Sequence, residues 1–208
     1  MIDLYTWGTP NGRKISIALE EMSLAYEVHA VNIGQDEQFA PAFLAISPNN
    51  KIPAIIDREN GQSVFESGAI LIYLALKSGQ FYPQANRTNI LEWLMWQMSA
   101  VGPMLGRAHY FLKYNAGKAA FAEAWFSAEA QRIYGVLDKL LASRKFMCGE
   151  YSIADIATFP WIARHEWQRI DLNDFKHVKR WYLAIAARPA VQRGYKVPDA
   201  TAEIPMPA

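Results

Sequence analysis

The sequence predicts a chain of two parts, an α/β first half in the order βαβ, short helix, ββα, followed by an all-helical second half. Three observations carry this prediction. Residues 1 to 80 alternate strand and helix signals. Beyond residue 88 the apolar positions recur almost wholly at helical spacing. Between the two, Gly79 to Asn86 carries a helix stop and Pro83. The boundaries that follow are an N-terminal domain at 1–80, a linker at 81–87, a helical domain at 88–198 and an exposed tail at 199–208.

The elements follow in order. Ile2 to Trp7 reads as a short strand, and Thr9-Pro10-Asn11-Gly12 as a turn with helix-start chemistry. Ile15, Ala18, Leu19 and Met22 recur at helical spacing, so a helix runs from about Asn11 to Ser23. Tyr26 to Val31 alternates as a second strand. Phe39 to Ile46 is a short helical piece in a flexible stretch. Pro53 to Asp57 and Ser63 to Phe65 are strands joined by Asn60-Gly61, and Ser67 to Lys77 is a helix. The crossover helix favours parallel pairing of the first two strands, and the later hairpin adds antiparallel ones. In the second half helices are expected over Thr88–Lys113, kinked by Gly102-Pro103, then over Lys118–Ser143, Ser152–Arg169 and Lys176–Ala187. A last short piece starts at Arg188-Pro189. The tail from Val197 holds three prolines and little to pack.

Composition narrows the classes. The chain has 208 residues, 51% of them apolar, enough for a sizeable core. A net charge of +1 gives no whole-molecule attraction to nucleic acid or to a membrane. The start lacks the basic and apolar regions of a signal peptide, and no apolar run is long enough for a bilayer. One cysteine, Cys148, excludes an intramolecular disulfide framework and fits a reducing compartment. The reading is a soluble cytoplasmic protein with no nucleic-acid, membrane or metal partner.

The richest stretch is Asn50-Lys51-Ile52-Pro53-Ala54-Ile55-Ile56-Asp57, followed by Phe65-Glu66-Ser67-Gly68-Ala69-Ile70. Pro53 cannot donate to a sheet and belongs at a strand's first residue, an edge or a bulge. If its preceding bond is cis, the backbone of Ile52 turns outward and can pair with an extended peptide. Glu66 and Ser67 stand where a strand gives way to a helix, so N–H groups and the helix dipole form an anion site. Together these hold a small peptide by its backbone and its terminal carboxylate, which is the chemistry of glutathione binding. Glu66 can take the γ-glutamyl ammonium, and the Ser67 hydroxyl and N–H its carboxylate. Lys51 reaches a second carboxylate as a point charge. Gln38 adds a hydrogen bond or is a solvated loop residue.

The loop after the first strand, Trp7 to Lys14, is the second candidate. The carboxyl end of a strand meets a helix N-terminus, where open α/β sheets bind ligands. Thr9 and Asn11 offer hydrogen-bond donors that stabilise an anion, and they also suit a plain capped helix. An ordinary thiol is only about 3% thiolate at neutral pH. One or two hydrogen bonds to a charged group, each worth ~1.5–3 kcal/mol, suffice to make it mostly thiolate. By contrast, Ser152-Ile153-Ala154-Asp155 reads as a capping box, with Tyr151 and Ile156 as its staple, and Asp155 as structural.

With these residues quoted, the chain resembles the cytosolic glutathione transferases over nearly its whole length. The segments that carry the likeness are Asn50-Lys51-Ile52-Pro53, Glu66-Ser67-Gly68-Ala69-Ile70 and the Ser152 to Asp155 box. Within that family it is similar to the bacterial Nu class of disulfide-bond oxidoreductases, through Thr9 to Gly12, Ile46 to Ile55, Gly102 to Gly106 and Gln131 to Tyr134. The resemblance implies a thioredoxin-like, glutathione-binding first domain, an all-helical second domain and a homodimer. It implies that Thr9 and Asn11 sit near the glutathione sulfur. It assigns glutathione binding to Gln38, Lys51, Ile52, Pro53, Glu66 and Ser67, with Arg132 reaching in from the partner subunit. From the sequence alone Arg132 is a solvated helix charge.

The departures from the wider family bear on mechanism. Trp7 stands where many transferases carry Tyr, Ser or Cys, and Tyr5 and Trp7 share a sheet face suited to packing. No cysteine lies near the first helix. A disulfide exchange must then draw its sulfurs from two bound glutathiones, or from glutathione disulfide. The expected activity is a glutathione-dependent disulfide reductase with peroxidase activity alongside, acting on a small disulfide or peroxide. One alternative is a transferase conjugating small electrophiles, with Trp96, Met104, His109 and Tyr110 lining a pocket, although those residues also suit a helix–helix core. The other is a non-catalytic glutathione-binding module, since fold does not fix function.

Overall fold

The computed structural model describes residues 1–207. The chain forms two compact units. The first comprises Met1–Pro83 with Ala187–Ile204, and the second Gln84–Ala186 with the last residues from Pro205.

In the first unit β1 (Ile2–Thr6), α1 (Pro10–Glu21) and β2 (Tyr26–Ala30) form the crossover unit, followed by α2 (Pro41–Leu44), the hairpin β3 (Ala54–Asp57) and β4 (Gln62–Phe65), and α3 (Ser67–Ser78). The sheet order is β2-β1-β3-β4. β1 pairs parallel to β2, with Leu4 opposite Val28, and antiparallel to β3, with Leu4 opposite Ile55. β3 and β4 pair antiparallel. This is the mixed sheet that the sequence predicts. α1 is buried from Gly12 through Leu19.

A last helix, α9 (Pro189–Tyr195), explains part of that burial. The sequence boundary groups residues up to 198 with the helical half, but α9 packs on α1. A Cβ on Gly194 would lie 2.6 Å from the Ile17 Cα, so only glycine permits this approach. The Arg13 guanidinium stacks 3.9 Å from the Tyr195 ring centre and donates to the Tyr195 carbonyl. Arg188–Glu21 and Arg193–Glu20 pairs flank the contact. These are long-range partners with no local signal.

The second unit holds α4 (Arg87–Trp96), α5 (Gly102–Ala108), α6 (Ala120–Leu141), α7 (Ile153–Ile162) and α8 (Lys176–Ala186). Gly102-Pro103 does not interrupt the helical path. The turns Gln97–Val101 and His109–Tyr114 widen to π-geometry, and the Gly102 N–H bonds five residues back to Gln97. Pro103 therefore sits at the start of α5, where its missing N–H does no harm. The helix expected over Ser152–Arg169 is shorter: α7 ends at Ile162, and a 3-10 turn follows at His165–Gln168. The piece expected over Phe39–Ile46 is a 3-10 turn at Glu37–Phe39 and then the single-turn α2. The tail is not wholly without partners, because the Tyr182 hydroxyl donates to the Pro205 carbonyl at 2.6 Å. No helix among the described residues is long and apolar enough to cross a membrane.

Candidate functional site

The two candidate segments meet in the first unit. A cavity of about 130 Å³ is lined by Asn11, Ser47, Asn49, Lys51, Ile52, Pro53, Phe65, Glu66 and Ser67. It is roomy enough for several water-sized groups or the end of a small ligand.

Each wall has a local cause. Pro53 is buried just before β3, and the Ile52–Pro53 bond is cis. The turn before it is tied by the Ser47 hydroxyl, which donates to the Lys51 carbonyl at 2.7 Å. Asn50 sits at φ 48°, in the left-handed region that asparagine tolerates better than most residues. Ile52 packs partly on Val31, Phe43 and Ala54, so it is anchored while lining the cavity. Lys51 is exposed at the rim.

Glu66 stands at φ 69°, ψ 114°, a conformation that non-glycine residues seldom adopt and that costs of order 1–3 kcal/mol. It heads α3 but makes no side-chain capping bond to it. Ser67, the first helical residue, is buried with 3% exposure and lines the cavity. The N-terminal dipole of α3 therefore faces the cavity and favours an anion there.

Asn11 enters from the head of α1. Thr9 is the N-cap of that helix, its hydroxyl oxygen accepting from the Gly12 N–H at 3.2 Å. The loop is tight: a Cβ on Gly12 would overlap the Trp7 carbonyl oxygen. Thr9 does not itself line the cavity, although it fixes the helix start that carries Asn11.

Of the residues singled out from sequence, Asn11, Lys51, Ile52, Pro53, Glu66 and Ser67 come together. Gln38 does not line the cavity. It is half-buried in the 3-10 turn at Glu37–Phe39, donates to Asp36 at 3.3 Å, and its amide oxygen is buried with no hydrogen-bond partner. Arg132 lies on α6, where it forms a two-pronged ion pair with Glu129 at 2.6 and 2.7 Å.

Lys14 is a residue that the sequence reading passes over. Its side chain is 1% exposed, and its ammonium donates to the Ser67 hydroxyl oxygen at 3.2 Å. Burial pulls its pKa down to about 7, against the opposing influence of Glu66. A signal was present: Lys14 precedes Ala18 by four residues and Met22 by eight, which places it on the buried face.

The remaining candidates have structural partners. Tyr5 stacks on His29 with ring centres 4.6 Å apart. Cys148 is buried, and burial pushes its thiol up to about 11, so it is not a thiolate near neutral pH. His109 sits 2.9 Å from the Gln168 amide nitrogen and stacks on Trp161. Burial, aided by Arg164, holds it down at about 4. His109 therefore belongs to a core network, whereas Tyr110 points outward with 50% exposure. Asp3, Glu27 and His29 cluster as metal ligands would, but the Arg58 guanidinium bridges Asp3 and Glu27.

Comparison with known proteins gives the family and the fold. The family model described as the glutathione S-transferase N-terminal domain matches residues 1–76, and the one for the C-terminal domain matches residues 104–189. The chain is 48% identical over 198 residues to the disulfide-bond oxidoreductase YfcG of Escherichia coli (strain K12), covering 91% of this chain and 92% of that one. It is similar to a Burkholderia graminis glutathione transferase solved with two glutathione molecules per subunit, at TM-score 0.88 and 45% identity over 95% of this chain and 88% of that one. A Pseudomonas putida glutathione transferase, solved with one glutathione disulfide per subunit, gives TM-score 0.87 and 46% identity over 95% and 91%.

Proposed function

The chain belongs to the glutathione S-transferase family, and from that premise we propose that it is a glutathione-dependent disulfide reductase whose reacting sulfurs are all supplied by glutathione. The observation that carries this reading is the state of its one thiol. Cys148 is buried in the helical unit with its pKa at about 11, while an anion-favouring cavity lies in the first unit. The relatives solved with two glutathiones or with glutathione disulfide support the same stoichiometry here.

The residues take these roles. Glu66 binds the γ-glutamyl ammonium, and Ser67 with the α3 head binds its carboxylate. Ile52, placed by Pro53, pairs with the cysteinyl backbone. Lys51 holds the glycyl end, and Gln38, which donates to Asp36 without ligand, adds a hydrogen bond there once the turn at Glu37–Phe39 adjusts. Asn11 donates to the sulfur, and Thr9 holds the α1 start in place. In a homodimer Arg132 swings from Glu129 to the partner's site.

The first glutathione thiolate attacks a substrate disulfide, forming a mixed disulfide and expelling one substrate thiolate, which takes a proton from water. The second glutathione thiolate attacks the glutathione sulfur of that mixed disulfide. Glutathione disulfide forms, and the second substrate thiolate leaves. Each glutathione loses one electron and the substrate gains two. The protein contributes position and thiolate stabilisation. With a peroxide, the first thiolate attacks one peroxide oxygen and becomes a sulfenic acid as the O–O bond breaks, the other oxygen leaving as an alcohol or water after taking a proton. The second glutathione then condenses with the sulfenic acid, releasing water and glutathione disulfide.

The test is turnover of hydroxyethyl disulfide with glutathione, read through glutathione reductase and NADPH, in the Cys148→Ala protein beside the wild type. Equal turnover supports the reading. Loss of turnover in Cys148→Ala contradicts it, and strong conjugation of a chromogenic electrophile without disulfide turnover would assign the site to transfer instead.

A further inference from the structure

We propose that Lys14 is a positioning residue for the ligand carboxylate: its ammonium holds the Ser67 hydroxyl oxygen as an acceptor and thereby turns the hydroxyl hydrogen toward the incoming carboxylate. The proposal rests on the glutathione reading above and adds a coupling between ligand binding and the Lys14 proton.

An ammonium can only donate. While Lys14 is charged, the Ser67 oxygen 3.2 Å away must accept from it, and the serine O–H is delivered in another direction. Ser67 lines the cavity beside Glu66 and Asn11, so the carboxylate side is within its reach. When Lys14 loses its proton, the amine gains a lone pair and competes for the serine hydrogen.

The proton on Lys14 is loosely held. Desolvation brings its pKa to about 7, and the Coulombic influence that raises it comes from Glu66. The other charges on elements packed against α1 have their own partners. Arg13 engages Tyr195, Glu20 pairs with Arg193, and Glu21 with Arg188. Lys77 of α3 pairs with Asp57 and Glu59, and Asp3 of β1 with Arg58 and His29. A carboxylate arriving at the α3 head adds a second negative charge near the ammonium. It favours the charged lysine, so above neutral pH binding takes up a proton.

A buried lysine kept only for packing would be a poor choice, since an apolar side chain of similar length avoids desolvating a charge. The test is calorimetric titration of the full chain at about pH 8, where an unliganded Lys14 is largely neutral, in two buffers of different ionisation enthalpy. The ligands are glutathione and γ-aminobutyryl-cysteinylglycine, which lacks only the γ-glutamyl carboxylate. Proton release from the thiol is common to both and cancels. The expected result is greater proton uptake with glutathione than with the analogue. Lys14→Met should abolish the difference and weaken glutathione about tenfold, the loss of one charge-assisted hydrogen bond, with the analogue unchanged. Its melting temperature should not fall. Equal proton uptake with both ligands in the wild type would overturn the role of Lys14 even if Lys14→Met failed to fold. Equal weakening of both ligands in Lys14→Met would also overturn it. Binding of neither peptide by the wild type would overturn the glutathione reading itself, and this inference with it.

Discussion

Two helix heads in this chain combine a serine with an acidic residue, and they are finished in opposite ways. At α7, Ser152 and Asp155 close a reciprocal capping box. Asp155 accepts from the Met147 and Ser152 N–H groups, the Ser152 hydroxyl and the Trp181 indole, at 2.8 to 3.1 Å. At α3, Glu66 caps nothing, holds a costly backbone conformation and stands at the edge of a cavity, with a buried lysine beneath Ser67. A head that satisfies its own donors is a folding device. On the proposed reading, a head without a side-chain cap, held at the expense of strain and a buried charge, is completed by a ligand.

The largest test of that contrast is in stability. Asp155→Ala strands several buried donors, and unfolding free energy should fall by about 4 kcal/mol, or on the order of 10 °C in melting temperature. A loss under about 1 kcal/mol in urea unfolding would remove Asp155 from the centre of the fold. On the open side, Asn11→Ala should lower disulfide turnover at saturating glutathione about tenfold to a hundredfold with the melting temperature held, one hydrogen bond to a thiolate. Unchanged turnover would break the assignment. Glu66→Gly should raise the glutathione concentration needed about tenfold without loss of stability, since glycine accepts a positive φ. An effect confined to maximal rate would contradict ammonium binding.

The last test is in pH dependence, whose sign differs between the two units. Arg58 beside Asp3, working against burial and with help from His29, holds that carboxyl at about 2. Burial pushes Asp57 up, but Lys77, Tyr73 and the Glu59 N–H outweigh it and hold it at about 2. Each adds stability that is complete above the ordinary value of 3.8 and lost as pH falls through about 2. Asp155 runs the other way. Burial outweighs its donors and raises it to about 6, so its contribution is complete below 3.8 and lost as pH rises through about 6. Urea midpoints should show both limbs, and Asp155→Asn should flatten only the upper one.

The sequence made the α3 head legible because its signals are local. Lys51-Ile52-Pro53 and Glu66-Ser67 lie within one hairpin and its exit, and folding brings their neighbours together whatever else the chain does. The Ser152 box is equally local. Lys14 was hidden because lysine is read as solvated, and its partner Ser67 lies on α3, remote in sequence. The placement of α9 was hidden for the same reason: the Gly194–Ile17 approach and the Arg13–Tyr195 stack join residues at opposite ends of the chain. The reach of Arg132 toward a ligand came from family likeness alone, whereas Gln38 was also readable as a loop residue able to add a hydrogen bond; in this chain they engage Glu129 and Asp36.

The most direct measurement is hydrogen–deuterium exchange of the whole chain with and without glutathione, compared at the two helix heads. Glutathione should slow exchange across Glu66 to Ile70 and leave Ser152 to Ile156 unchanged. No slowing at Glu66 to Ile70 under saturating glutathione would contradict completion of that head by a ligand, and equal slowing at both heads would erase the distinction between them.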